Sequence, residues 1–468
     1  MTTGEQSAAP LLGEPTIGEL RHALRGELIT PTDPAYDTAR GVWNGMIDRR
    51  PALIARCSDA GDVATAIGFA RSEGLTVAVR GGAHNVAGNA TCDGGLVIDL
   101  STMKGIRIDR ERTTVRAEAG LTWGELDAAT QALGLATTGG LVSSTGIAGF
   151  TLGGGVGWLM RRHGLACDNL IGADMVTADG AVLHASEADQ PDVLWGLRGG
   201  GGNFGVVTEF EYRLHPVSTV LGGLVAWPAH RAGDVLRFWR EWAREAPADV
   251  CTLGVFLYAP PEPFIPPEAQ GTPIFAIAVC HIDPDGRAED DLRELRAFGP
   301  PVVDVIGPMP YTALQGMFDA GAPAGLQNYW KSSYLAGLDD ATIDVILGHT
   351  TSIPAPFGQV HLHQLGGAVG AAQDSGASGH RGAGFLLNIV GTWADPAETE
   401  RGTAWVRGFA AAVEPHAMGA YVNFMGDEGD ARIRAAYEPA TFARLRELKA
   451  QLDPTNVFRL NQNVPPAR

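Results

Sequence analysis

Residues 80–91 read "RGGAHNVAGNAT", a single histidine set among glycines and other small residues. The preceding "TVAV" (76–79) is apolar and β-branched, which predicts a strand ending at Arg80. A tight turn of small residues then presents successive backbone N–H groups. Such a nest holds phosphate oxygens without cationic side chains. On this reading His84 stands beside a ligand; the alternative is a turn histidine that caps its neighbours.

The same texture recurs further along. "STGIAGFTLGGGVG" (144–157) and "RGGGGNFGVV" (198–207) are two more glycine clusters in the same region. The chain has 62 glycines in 468 residues, about twice the ordinary ~7% share, with no G-X-Y period. Each loop alone reads as a surface turn. Three together fit one long ligand covered by close backbone, and a dinucleotide such as FAD has that length. "GGGNFG" (200–205) matches G-x-G-x-x-G, but it follows a helical stretch and opens a strand. A dinucleotide fold needs the opposite order, so that reading fails.

Around these loops the chain alternates strand and helix. An amphipathic helix is expected over 16–28, strands at 52–57 and 95–101, and a helix over 59–74 with an Asp59 cap and a Gly stop. Another helix is expected over 122–134, and a hairpin over 175–186 turning on "ADG". These place one region at 1–217, a second of strands, helices and proline-rich loops at 218–411, and a last helical segment with an extended tail at 412–468. The length suggests two large domains or one discontinuous pair. A net charge of −18 argues against nucleic-acid binding. The five scattered cysteines form neither a disulfide framework nor a metal site. "MTTGEQSAAPLLGEP" has no leader pattern and no apolar run is long enough to span a membrane, so a cytoplasmic protein is expected.

The stretches 79–109, 139–170 and 192–214, together with "LDPTNVFRLNQNVPP" (452–466), resemble the berberine-bridge-enzyme-like FAD-linked oxidases of the vanillyl-alcohol-oxidase, PCMH-type superfamily. The resemblance covers nearly the whole chain and is weakest in the middle. It implies an α+β fold, with an FAD domain built from both chain ends and an antiparallel-sheet substrate domain backed by helices. It implies that His84 is bonded to the 8α-methyl carbon of the isoalloxazine. Arg80, Gly81, Gly82, Ala83, Asn85, Val86 and Gly88 would lie along the cofactor. Gly139, Val142, Ser143, Thr145, Gly146, Gly149, Gly153, Gly154 and Gly157 would follow from the second loop. Asn203, Gly205 and Val207 would come from the third, and Asn461 from the tail.

Two departures from the family matter. Doubly attached members carry a cysteine where Val142 stands, so a single bond through His84 is implied, and Cys167 lies too far along to substitute. Carbohydrate-oxidising relatives end a Y-x-N-Y motif in a tyrosine base. Here the stretch is "YVNF" (421–424), and Phe424 accepts no proton. The base must then come from elsewhere. In "QVHLHQLGG" (359–367), His361 and His363 fall on one strand face, and an imidazole titrates near neutral pH. His363 is the candidate base, with His361 orienting it or sharing its proton. Tyr421, Lys331, Tyr311 and Tyr329 are further pocket candidates. The implied activity moves a hydride from a C–H bond of an alcohol or amine, secondary-metabolite-like rather than sugar, to flavin N5. Oxygen would reoxidise the flavin and give hydrogen peroxide. A dehydrogenase using another acceptor, or a flavin-binding protein with a degenerate pocket, remains open at this point. A peroxide-coupled substrate screen separates the three.

Overall fold

The computed structural model describes residues 13–283, 285–372 and 375–468. The first twelve residues, on which part of the leader reading rests, lie outside this set.

Two small sheets form the first unit. In one, strands run in the order Glu27–Ile29, Leu53–Arg56, Leu96–Asp99, Val77–Arg80. Its last three strands are parallel, and the helix Ala60–Ser72 makes the crossover between them. Asp59 caps that helix, its side chain accepting from the N–H of Asp62 at 3.0 Å, and Gly74 turns the chain away at φ +65°. The expected amphipathic helix is confined to Glu14–Ala23, because the chain becomes a strand at Glu27. The second sheet is antiparallel, with Val206–Arg213 at its centre between Thr114–Glu118 and Leu170–Val176. The hairpin to Val182–Ser186 forms as read. One apolar core joins both sheets, and it includes Leu445, Leu448, Phe458 and Val464 from the end of the chain.

The second unit is one antiparallel sheet of nine strands. Pro273–His281, Val250–Tyr258, Gln359–Gln364 and Phe385–Trp393 form its middle. Helices Ala232–Glu245, Asp340–Thr350 and Thr399–Val413 cover one face around Trp239, Phe409 and Ile346. The other face packs against residues 156–167 of the first unit. A division at 411 falls inside the helix Thr399–Val413, and the strand Ala417–Gly419 after it still pairs with Gln327–Leu335. The α+β organisation expected from the resemblance is the one observed. No helix among the described residues is long and apolar enough to cross a membrane.

Candidate active site

The three glycine loops converge. Together with the last residues of the chain and the inner face of the large sheet, they line one cavity of about 320 Å³. Gly81, Gly82, Ala83, His84 and Asn85 lie on it from the first loop, Val142, Thr145, Gly146, Gly149 and Gly153 from the second, and Gly205 and Val207 from the third. Asn461 joins them from the tail, and His361 and His363 from the sheet.

The glycines are bare for two different reasons. A Cβ on Gly82 would overlap the backbone of Gly146, and one on Gly146 would overlap that of Gly82, so here two loops touch each other. Gly157 meets the carbonyl of Gly139 in the same way. Only at Gly149 and Gly202 would a Cβ point into open space and fill the cavity. Among the described residues, the N–H groups of Gly82, Ala83, His84 and Asn85 find no protein acceptor, as a phosphate-binding nest requires. Ala83 sits at φ +54°, a conformation that tight presentation demands of a residue other than glycine.

Several expected contacts are relocated. Arg80 turns its guanidinium away, donating to the carbonyls of Ala39, Arg40 and Ala90, and so braces the loop from behind. Val86 does not line the cavity, and its carbonyl accepts from Asn44 Nδ2 at 2.7 Å. A Cβ on Gly88 would strike Ile47, while Gly154 backs onto Tyr421. Ser143 lines a separate crevice outside His84, where its N–H and hydroxyl donate to Asp319 at 2.7 and 2.6 Å. Asn203 clasps the tail: Nδ2 donates to the carbonyls of Gly200 and Gln462, and Oδ1 accepts from the N–H of Val464.

His84 is half-buried, and its Nε2 atom is buried without a partner. Its ring stacks on Trp43 with centroids 4.2 Å apart and planes at 18°, which fixes its orientation. Burial pushes its pKa down to about 4, so the imidazole is neutral with a free lone pair. None of the five cysteines lines the cavity, and all are buried. A nest without acceptors, glycines facing open space and an unpartnered neutral imidazole suit the long anionic FAD well.

On the sheet side, His361 and His363 share a face, with ring centroids 6.0 Å apart. They do not share a proton: His361 Nε2 bonds Gln359 Oε1 at 2.7 Å, and His363 Nε2 is unpartnered. Neither titrates near neutrality. Burial pushes His361 to about 4 and His363 to about 3, the latter helped by His361. Phe424 faces His363 at 5.8 Å.

Tyr421 and Lys331 lie off the cavity. Tyr421 is 2% exposed, and its hydroxyl accepts from the N–H of Gly155 and from Asn423 Nδ2. Asn423 also donates to the carbonyl of Phe150. The first and third residues of "YVNF" therefore clamp the second glycine loop, while the fourth faces the cavity. Lys331 pairs with Glu428. Tyr311 is buried between the two units, and Tyr329 accepts from Arg407. Two residues that the sequence reading passed over do line the cavity: Asn388 and Trp330. The signal at Asn388 was a lone amide in the apolar strand "FLLNIVGTW" (385–393). Among the described residues, no group of three or more His, Cys, Asp or Glu is placed to hold a metal ion.

The model of the FAD binding domain family matches residues 51–186, and that described as "Berberine and berberine like" matches 420–465. The (R)-6-hydroxynicotine oxidase of Paenarthrobacter nicotinovorans is 32% identical over 95% of this chain and 97% of its own. An FAD-linked oxidoreductase of Dictyostelium discoideum is 31% identical over 91% of each chain. The crystal structure of 6-hydroxy-D-nicotine oxidase from Arthrobacter nicotinovorans superposes with a TM-score of 0.84 at 29% identity, covering 97% of this chain and 100% of that one. With three glycine loops and the tail "LDPTNVFRLNQN" (452–463) lining one cavity, the chain belongs to the berberine-bridge-enzyme-like family of FAD-linked oxidoreductases.

Proposed function

We propose that the enzyme is an oxidase that holds FAD through a single covalent bond from His84 to the 8α-methyl carbon, with His363 as its base. The observation that carries this reading is a pair of unpartnered imidazole nitrogens, His84 Nε2 and His363 Nε2, lining the same cavity. When bound, FAD supplies the hydride acceptor and passes the electrons to oxygen, giving hydrogen peroxide. The protein binds, orients and moves a proton. The first and second glycine loops clamp each other at Gly82 and Gly146, and the tail closes over the third loop through Asn203. Phe424 and Trp330 exclude water beside His363. His363, neutral at working pH, accepts the proton of the substrate's hydroxyl or amine as the adjacent C–H bond breaks. The expected substrate is a secondary-metabolite-like alcohol or amine. The hydroxynicotine oxidase likeness supports oxidase chemistry on a small ring-bearing molecule.

The test of attachment is direct. After acid denaturation the yellow colour should stay with the polypeptide, and mass spectrometry should find flavin on a peptide containing His84. His84→Ala should release the flavin on denaturation yet still bind it when folded, because the backbone nest is unchanged. Complete release of FAD from the denatured native chain rules out the bond. A peroxide-coupled screen over alcohols and amines tests the oxidase assignment.

A further inference from the structure

The cavity carries no formal charge: among the described residues lining it there is no Asp, Glu, Lys or Arg. Where the large sheet forms its wall, the rings of Trp330, Phe318 and Phe424 frame three polar side chains, His361, His363 and Asn388. Asn388 stands opposite His361 in the strand register, is 1% exposed, and its Oδ1 has no partner. Buried polar atoms are ordinarily paired, so Asn388 Oδ1 and His363 Nε2 mark where the polar atoms of a ligand belong.

We propose that the substrate is an uncharged, ring-bearing alcohol whose hydroxyl lies between His363 and Asn388 while its rings pack on the aromatic walls, and that Asn388 sets this specificity. The proposal rests on the oxidase reading with His363 as the base. A cation entering here loses its water and gains no carboxylate, and the aromatic faces return only part of that loss. The wall already treats its own imidazoles this way, since burial keeps both unprotonated. An anion at this wall meets neither a cation nor the free backbone N–H groups that the first glycine loop offers. A sugar brings hydroxyls all round its ring, and three polar side chains between aromatic rings leave most of them unpaired.

The test is anaerobic titration of the FAD-loaded enzyme, read by the change in flavin absorbance, so that binding is measured with or without turnover. The probes are naphthylmethanol, naphthylmethylammonium, methylnaphthalene and xylobiose. Naphthylmethanol should bind about 100-fold more tightly than the ammonium and about 10-fold more tightly than methylnaphthalene. Xylobiose should not perturb the spectrum. Asn388→Asp should reverse the order of alcohol and ammonium. Asn388→Leu, which adds no charge, should erase the preference for the alcohol over methylnaphthalene. An ammonium or xylobiose that binds as tightly as the alcohol overturns the proposal. So does an alcohol that fails to bind, or an unchanged order in both variants. If the binding order holds but no peroxide forms with any alcohol, the oxidase reading fails and the binding specificity stands.

Discussion

A histidine ordinarily titrates near pH 6.5, but His363 lines the cavity beside Phe424 with its Nε2 buried and unpartnered, and burial lowers it to about 3. A base works in its deprotonated form. The rate of flavin reduction should therefore be flat from pH 5 to 8 in roughly the usual assay range and fall only as the pH drops towards 3. His363→Ala should slow flavin reduction by about 10²–10⁴-fold and abolish that acid limb, while the flavin spectrum stays native. Anaerobic stopped-flow across pH makes both measurements. A native rate in the variant moves the role of base to another group.

At the scale of elements, the helix Pro439–Leu452 holds the site together from outside it. Its Lys449 is fully buried, and Nζ donates to Asp453 Oδ2 at 2.6 Å and to the carbonyls of Asn203 and Phe458. Asp453 in turn accepts from the N–H groups of Val457 and Phe458. One ion pair thus ties the third glycine loop to the tail that lines the cavity. Lys449→Met leaves Asp453 charged and unpaired, at a cost of about 3–5 kcal/mol. Urea unfolding should show that loss. Adding Asp453→Leu should recover part of it, because the stranded charge is gone while two N–H donors remain unmet. A single variant as stable as the native chain shows that the clamp contributes nothing. This pair was not legible beforehand. An i, i+4 Lys–Asp spacing is equally that of a solvent-exposed helix pair, and it is the three-dimensional return of the tail that buries this one. The glycine loops were legible because close backbone approach demands glycine wherever it occurs. Whether a glycine clears a ligand, as at Gly149, or another loop, as at Gly82, depends on partners far away in the chain. The orientation of "YVNF" was hidden for the same reason, since its tyrosine turns towards Gly155.

At the scale of the molecule, the two units meet over a core that includes one misplaced charge. Asp127, on the helix Trp123–Gln131, is 3% exposed, and among the described residues its carboxylate accepts from Gln315 Nε2 of the second unit alone, at 2.9 Å. Gln315 Oε1 and the Tyr311 hydroxyl lie buried there without partners. Burial raises Asp127 to about 7. Its pKa is higher folded than unfolded, so the stability it supports is complete below the unfolded value of 3.8 and declines as the pH rises to about 7. Asp127→Asn removes that decline, and its amide donates to Gln315 Oε1. Thermal unfolding at pH 8 should show the variant more stable by about 2–4 kcal/mol, with no gain at pH 4. An equal effect at both pH values excludes titration of Asp127 as the cause. The fold at this scale followed from the resemblance of the glycine loops and tail, whereas the interface charge did not, because an Asp inside "GELDAATQ" (124–131) looks like a solvated helix face.

The cavity draws its first wall from residues near Val77 and its last from Phe458, Leu460, Asn461 and Gln462. In chain order the nest comes early, and the strands of the nine-stranded sheet lie between it and that last wall. Bringing its final wall into place closes a loop of nearly the full chain, a strongly non-local contact. A cavity complete enough to hold FAD therefore needs the tail in place. Loss of the tail is expected to show as loss of colour: a chain interrupted before Phe458 carries His84 and all three glycine loops but lacks that wall, and should be isolated without flavin.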